Sequence, residues 1–275
     1  MKQPFEVEWM GGAAEHHFRK ARPGVEDLPW GTLDPARFSP AAVEYARGSW
    51  TEVAINEYRA VASFTEVLRA LVDVRAPLDL LGMTSDFLAD ECSHVELASR
   101  VAMELGGGAP RMVDIDHFAE RPRGLTALQR ANELVLRVGC ISEAFSGGTA
   151  SVSMESTTHP LTRAVYETIL RDEARHRRLG GLYFEWALAR IDEAELVRLG
   201  RVLHESLKAF APFWKPSAKA RSRDLGRAGE LQALGWLGAE RFAPVAREVV
   251  VRDILDPLAT IGIGISDEER SALLG

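Results

Sequence analysis

The chain has 275 residues, 46% of them hydrophobic and 27% charged, with a formal net charge of −7. That is enough apolar material for a full core, and the acidic balance, with no basic stretch, excludes a protein that tracks nucleic-acid phosphates. Two cysteines, Cys92 and Cys140, are too few for a disulfide framework, and no window approaches the roughly 18 uncharged apolar residues of a membrane span, so the cytoplasm is the expected location.

In chain order, the opening MKQPFEVEWMGGAAEHH lacks the continuous apolar core of a signal peptide. Residues 1 to 48, with scattered Pro, Gly and Trp and no sustained period, read as an irregular arm. From Ser49 the spacing of SWTEVAINEYRAVASFTEVLRALVDV is helical up to the VRAPLDLLG turn. A second helix is expected from about Ser85 to Leu105, with Thr84 and Ser85 as caps and the Gly106-Gly107-Gly108 run as its stop. A third runs from near Thr126 to about Glu155 although Gly139, Gly147 and Gly148 lie inside it, each lowering helix propensity. Pro160 suits the first turn of a fourth, capped by Thr158 or His159 and reaching about Arg190. Glu193 to Phe213 and Glu230 to Leu258 look like further helices, and the apolar ILDPLATIGIGI suits packing on the bundle or a homodimer seam. The expected class is all-α: an arm over 1–48, a four-helix bundle over 49–190 and a C-terminal helical extension over 191–275.

The chemistry lies in two copies of Asp-Glu-x-x-His, DECSH at 90–94 and DEARH at 172–176. A shuffled chain of this composition would hold about 0.03 such runs, so two by accident is roughly a one-in-2,000 event. The i, i+3 spacing sets Glu and His side by side on one helical face. Glu91 and His94 share theirs with Phe87, Leu88, Val95, Ala98, Ala102 and Leu105; Glu173 and His176 share theirs with Val165, Ile169, Gly180 and Ala187. Carboxylates on a core face must take up a proton or find a cation, which makes these four residues candidate metal ligands.

Each helical hairpin should offer one more carboxylate at the same height. At 100° per residue, Trp50, Val53, Val61, Phe64, Leu68 and Leu71 lie within about 40° of Glu57, while Glu52 and Glu66 lie about 140° and 180° away. Glu57 and Glu91 are equidistant from a turn near residue 74, and Glu143 and Glu173 from one near 158. Glu133 fails this test and lies about 80° off the face of Glu143, so Glu143 is preferred.

Four carboxylates and two histidines in the order Glu57, Glu91-x-x-His94, Glu143, Glu173-x-x-His176 resemble the ligand set of the ferritin-like di-iron carboxylate superfamily, over roughly residues 49 to 190. The resemblance implies a ferritin-like bundle holding two Fe ions, or Mn or mixed Fe/Mn. It also implies that Asp172 orients His94 and Asp90 orients His176, fixing each ring's tautomer. Some N-oxygenases of the superfamily carry an extra histidine seven residues before the last ligand, where this chain has Ile169, and two cysteines cannot build a rubredoxin module. Tyr58 and Tyr166 are redox candidates by neighbourhood alone.

By the same resemblance the expected activity is O₂ activation to oxidise a small organic substrate, with electrons from an external donor, since no flavin, nicotinamide or iron–sulfur signature is present. The competing expectations are iron oxidation and storage or peroxide removal, and a scaffold with a structural metal pair. A substrate cavity beside Glu57 and Glu143 would be walled by Val61, Phe64, Cys140 and Ile169, although core packing is the plainer use of such residues. Cys92 is expected as an apolar filler. The remaining histidines, at 16, 17, 117, 159 and 204, have no partner at ligand spacing.

Overall fold

The computed structural model describes residues 1–217 and 227–275, and among these the protein is all-helical apart from a two-residue antiparallel pairing of β1 (Gln3–Pro4) with β2 (Met112–Val113). No helix among the described residues is long and apolar enough to cross a membrane.

The arm is more ordered than its composition suggests. Helix α1 (Gly12–Ala21) follows Gly11 and opens on Gly12, both at positive φ, and none of its residues is buried, so no apolar stripe marks it. It is fastened by charge: Arg19 pairs with Glu96, and Arg22, just beyond the helix, pairs with Asp90.

Helix α2 runs Pro40–Asp73, nine residues longer at its N-terminus than expected. Ser39 caps it through Ala42 N and Pro40 occupies the first turn, a start signal that Gly48 obscured by interrupting the pattern. Helix α3 (Leu78–Glu104) also begins earlier; Thr84, expected as a cap, is buried with its hydroxyl donated to Leu80 O. Its C-terminus closes as a Schellman motif, with Gly106 N on Met103 O and Gly107 N on Ala102 O, both glycines at positive φ. The short Val74–Pro77 connection makes α2 and α3 an antiparallel hairpin.

The second hairpin is α4 (Ala127–Val135), a π-helical segment (Leu136–Ser142) and α5 (Glu143–Ser156), then a turn and α6 (Pro160–His176). Thr126 and Gln129 form a capping box at the start of α4, and His159 Nδ1 accepts from Leu161 N at the start of α6. The expected single run to Arg190 is instead broken at Arg177: α7 (Arg178–Ala187) follows, then one 3₁₀ turn. Gly180 of α7 lies against Gly139 of the π segment, its N only 3.3 Å from where a Cβ on Gly139 would stand. These glycines therefore serve close helix approach.

Beyond the two hairpins come α8 (Glu193–Trp214), α9 (Ala228–Ala233), α10 (Ala239–Val249), a second π segment (Val250–Leu255), α11 (Asp256–Thr260) and α12 (Asp267–Leu274). Ile254, Leu255, Leu258 and Ile263 are buried in the main apolar cluster with Phe64, Leu71, Phe87 and Tyr183, so the apolar C-terminal stretch packs onto the body. A second cluster gathers Trp50, Leu97, Val101, Leu161, Val165, Tyr166 and Ile169.

Candidate metal centre

Helices α2, α3, α5 and α6 carry Glu57, Glu91 and His94, Glu143, and Glu173 and His176 respectively, and the structure brings all six side chains together. They form two overlapping sets, Glu57–Glu91–His94–Glu173 and Glu91–Glu143–Glu173–His176, in each of which the donor atoms lie within 4.8 Å of one another. Glu91 and Glu173 belong to both. His94 and His176 are fully buried with ring centroids 5.9 Å apart, and only Glu57 keeps appreciable solvent contact, its side chain 13% exposed.

The two histidines present their rings in the same sense. His94 Nδ1 lies 3.8 Å from Glu57 Oε2 and 3.7 Å from both Glu91 Oε2 and Glu173 Oε1. His176 Nδ1 lies 3.0 Å from Glu91 Oε1, 3.3 Å from Glu143 Oε2 and 3.6 Å from Glu173 Oε1. Each Nε2 faces an aspartate from the other motif: His94 to Asp172 Oδ2 at 3.5 Å and His176 to Asp90 Oδ2 at 3.2 Å. Asp90 and Asp172 are both buried; Asp90 hydrogen-bonds His176 and can fix the tautomer that leaves its Nδ1 free to donate a lone pair, while Asp172 faces His94 in charge contact.

Two residues that no spacing rule singled out complete this shell. Arg175 Nη2 donates at 3.0 Å to both Asp90 Oδ2 and Asp172 Oδ1, tying the two aspartates together, and Arg22 Nη2 lies 2.7 Å from Asp90 Oδ1. Arg175 sits within DEARH and could have been suspected; Arg22 comes from the arm and had no local signal.

Electrostatics show how poorly the cluster is satisfied by itself. Both oxygens of Glu91, one each of Glu143 and Glu173, Nδ1 of both histidines and Nε2 of His94 are buried without a hydrogen-bond partner. Burial raises the Glu143 carboxyl and, with Glu143 and Glu91 beside it, pushes Glu173 up to about 8. Burial opposes the imidazolium of His94, yet the carboxylates of Asp172, Glu57 and Glu91 outweigh it and raise its proton affinity well above the usual range. The same opposition at His176 is overcome by Asp90, Glu143, Glu173 and Glu91. Burial pulls Asp172 upward, but His94, Arg171 and Arg175 prevail and keep it low. Orphaned carboxylate oxygens and imidazole nitrogens converging at one depth are atoms of the kind that ligate metals, and the cluster could hold a metal ion.

The alternative carboxylates are engaged elsewhere. Glu52 pairs with Arg111, Glu66 Oε1 accepts from Arg121 at 2.7 Å, and Glu133 pairs with Arg137 and Arg198. His204 pairs with Glu269 at 3.1 Å. Tyr58 is partly exposed and packs on Phe5 and Phe118, whereas Tyr166 is buried with its hydroxyl donated to Gly235 O at 2.8 Å.

The residues expected to wall a cavity beside Glu57 and Glu143 are placed as follows. Phe64 packs edge-on to Phe87 with its ring 5.6 Å away, and to His176; Ile169 is buried in the second apolar cluster, and Val61 is half-buried. None of the three lines the cavity of about 750 Å³ that lies along α7; Cys140 does. Cys92, expected as filler, is exposed because its helical position points away from the Glu91–His94 face.

Comparison with protein-family models, with curated proteins and with solved structures gives no match.

Proposed function

We propose that the protein is a ferritin-like dinuclear carboxylate enzyme in which two Fe ions, or Mn or one of each, use O₂ to oxidise a small organic substrate. The observation that carries this reading is the pair of overlapping donor sets sharing Glu91 and Glu173, with their facing oxygen and nitrogen atoms buried and unpartnered. Bound there, the metals would supply the electrons and Lewis acidity that O₂ chemistry needs.

The protein's own part follows from the donors. Glu57 and His94 serve one position and Glu143 and His176 the other, while Glu91 and Glu173 can reach both. Carboxylates suit such work because one or two oxygens can bind, so the coordination number can change without moving the backbone. Asp90 and Asp172 hold the rings, and Arg22 and Arg175 hold the aspartates. Phe87, its ring centroid 4.2 Å from that of His176, and Phe64 keep water from that side. The reading requires an external electron donor.

The test is metal stoichiometry and oxygen consumption on purified protein from iron-replete cells. Two metals per chain, with O₂ uptake only when a reductant and an organic compound are supplied, is the expected result. Accumulation of many iron ions per chain would favour storage, and a redox-silent zinc pair would favour a structural role.

A further inference from the structure

A cavity of about 750 Å³ lies between the first π segment, α7, the second π segment and α11, a volume that suits a small organic ligand. No metal ligand lines it, although Ala144 and Ala174, chain neighbours of Glu143 and Glu173, are part of its wall. Its lining is mainly apolar: Cys140, Ala144, Phe184, Leu188, Leu258 and Ile261. The Cys140 thiol is pushed up to about 12 by burial, so it stays neutral and adds no charge to this surface.

The polar lining is cationic in excess. Arg177 and Arg178 both border the cavity, and among the described residues neither guanidinium has a carboxylate or hydrogen-bond acceptor. The Arg177 stem and the inner edge of its guanidinium lie over Gly147, whose missing side chain leaves room for them: a Cβ there would stand 3.0 Å from Arg177 Cδ and 3.2 Å from its Nε. Arg252 is already neutralised by Asp253, with both nitrogen–oxygen contacts at 2.7 Å. Glu185 is the one remaining carboxylate on the lining, so two arginines face one acid on a chain whose net charge is −7.

We infer that this cavity binds an amphipathic organic anion, with a carboxylate or phosphate head held by Arg177 and Arg178 and an apolar body lying on Cys140, Ala144 and Phe184. Free guanidinium forks match planar or tetrahedral oxyanions, and the apolar walls favour an aliphatic or aromatic body over a bare inorganic ion. The inference does not rest on the metal reading, because binding at this site can be measured without turnover.

The probes are octanoate, octyl phosphate and octanol, titrated calorimetrically into the full-length protein below their aggregation limits. Octanoate or octyl phosphate should saturate at one per chain, whichever binds tighter identifying the head, and octanol should bind about tenfold more weakly or worse. The exposed double substitution Arg177→Gln/Arg178→Gln should lower the anions' affinity by about tenfold or more and leave octanol unchanged. Gly181→Phe, at a helical position where an added Cβ meets nothing within 4 Å, should block all three probes without lowering the melting temperature. Equal binding of octanol and the anions, undiminished anion binding in the double variant or in Gly181→Phe, or no saturable binding to the folded wild-type protein would each overturn the inference.

Discussion

At the scale of single residues, the six clustered side chains are not equivalent. Glu57 belongs to one donor set and Glu91 to both, so Glu57→Ala should lower metal content from about two per chain to about one, whereas Glu91→Ala should remove both; equal losses measured by elemental analysis would contradict the sharing. The raised proton affinities give a second expectation. Glu173 retains a proton up to about pH 8 in the metal-free protein, and both imidazoles hold theirs above their usual range, so cation binding must displace protons. Metal affinity should therefore rise with pH between about 6 and 8, and calorimetry in buffers of different ionisation enthalpy should show net proton release; pH-independent uptake would mean that the donors are already deprotonated. Glu57, Glu91, His94, Glu143, Glu173 and His176 were all legible in the sequence, because ionisable residues on apolar helical faces at matched heights have few other uses. Arg22 was not, because its partner Asp90 lies 68 positions along the chain and a lone arginine in a loop carries no periodic signal.

At the scale of elements, the run expected from Thr126 to Glu155 is the hardest to read, and the π segment at Leu136–Ser142 explains why. A π turn inserts a residue relative to α-helical spacing and shifts the phase of everything beyond it by about 100°, so a constant 100° per residue cannot be carried from the residues before Leu136 to Glu143. Upstream, Asn132 and Glu133 are indeed buried, in a network with Tyr183, Glu195 and Arg198. Burial raises Glu195, but Arg198 and Asn132 outweigh it and the carboxyl ends below its ordinary value. A carboxylate lowered on folding contributes stability above its unfolded pKa, near 4.5, and loses it as pH falls through the folded value. Glu195→Gln should therefore destabilise by about 1–3 kcal/mol at pH 7, with the gap to wild type closing in acid; an undiminished gap below pH 4 would show that charge is not the cause. The Gly139–Gly180 contact gives a backbone counterpart. A Cβ on Gly180 would collide with Cys140 Sγ and stand 3.3 Å from the Cys140 nitrogen, so Gly180→Ala should cost about 1–3 kcal/mol despite the gain in helix propensity, while Gly181→Ala, which meets nothing, should gain about 0.5–1 kcal/mol in urea unfolding.

At the scale of the whole molecule, the cluster lies where two apolar regions meet, with Phe64 and Phe87 from one and Trp50, Tyr166 and Ile169 in the other. Four carboxylates, two imidazoles and two aspartates in that interior are a standing cost of the fold, relieved in the metal-free protein, among the described residues, by bound protons and by Arg22, Arg171 and Arg175. A cation that binds the native state and not the unfolded chain adds about 2.7 kcal/mol per site at a free concentration one hundred times its dissociation constant. Two sites would add about twice that, and a chain of this size shifts its melting temperature by roughly 2–4 °C per kcal/mol. Saturating Fe(II) under anaerobic conditions, or Mn(II), should accordingly raise the melting temperature by on the order of 10 °C. The gain should shrink in Glu57→Ala and vanish in Glu91→Ala, since the latter removes a donor common to both positions. Identical melting curves for metal-free and metal-supplemented wild-type protein would mean that protons and arginines already satisfy the cluster, and the two-metal reading would fall with it.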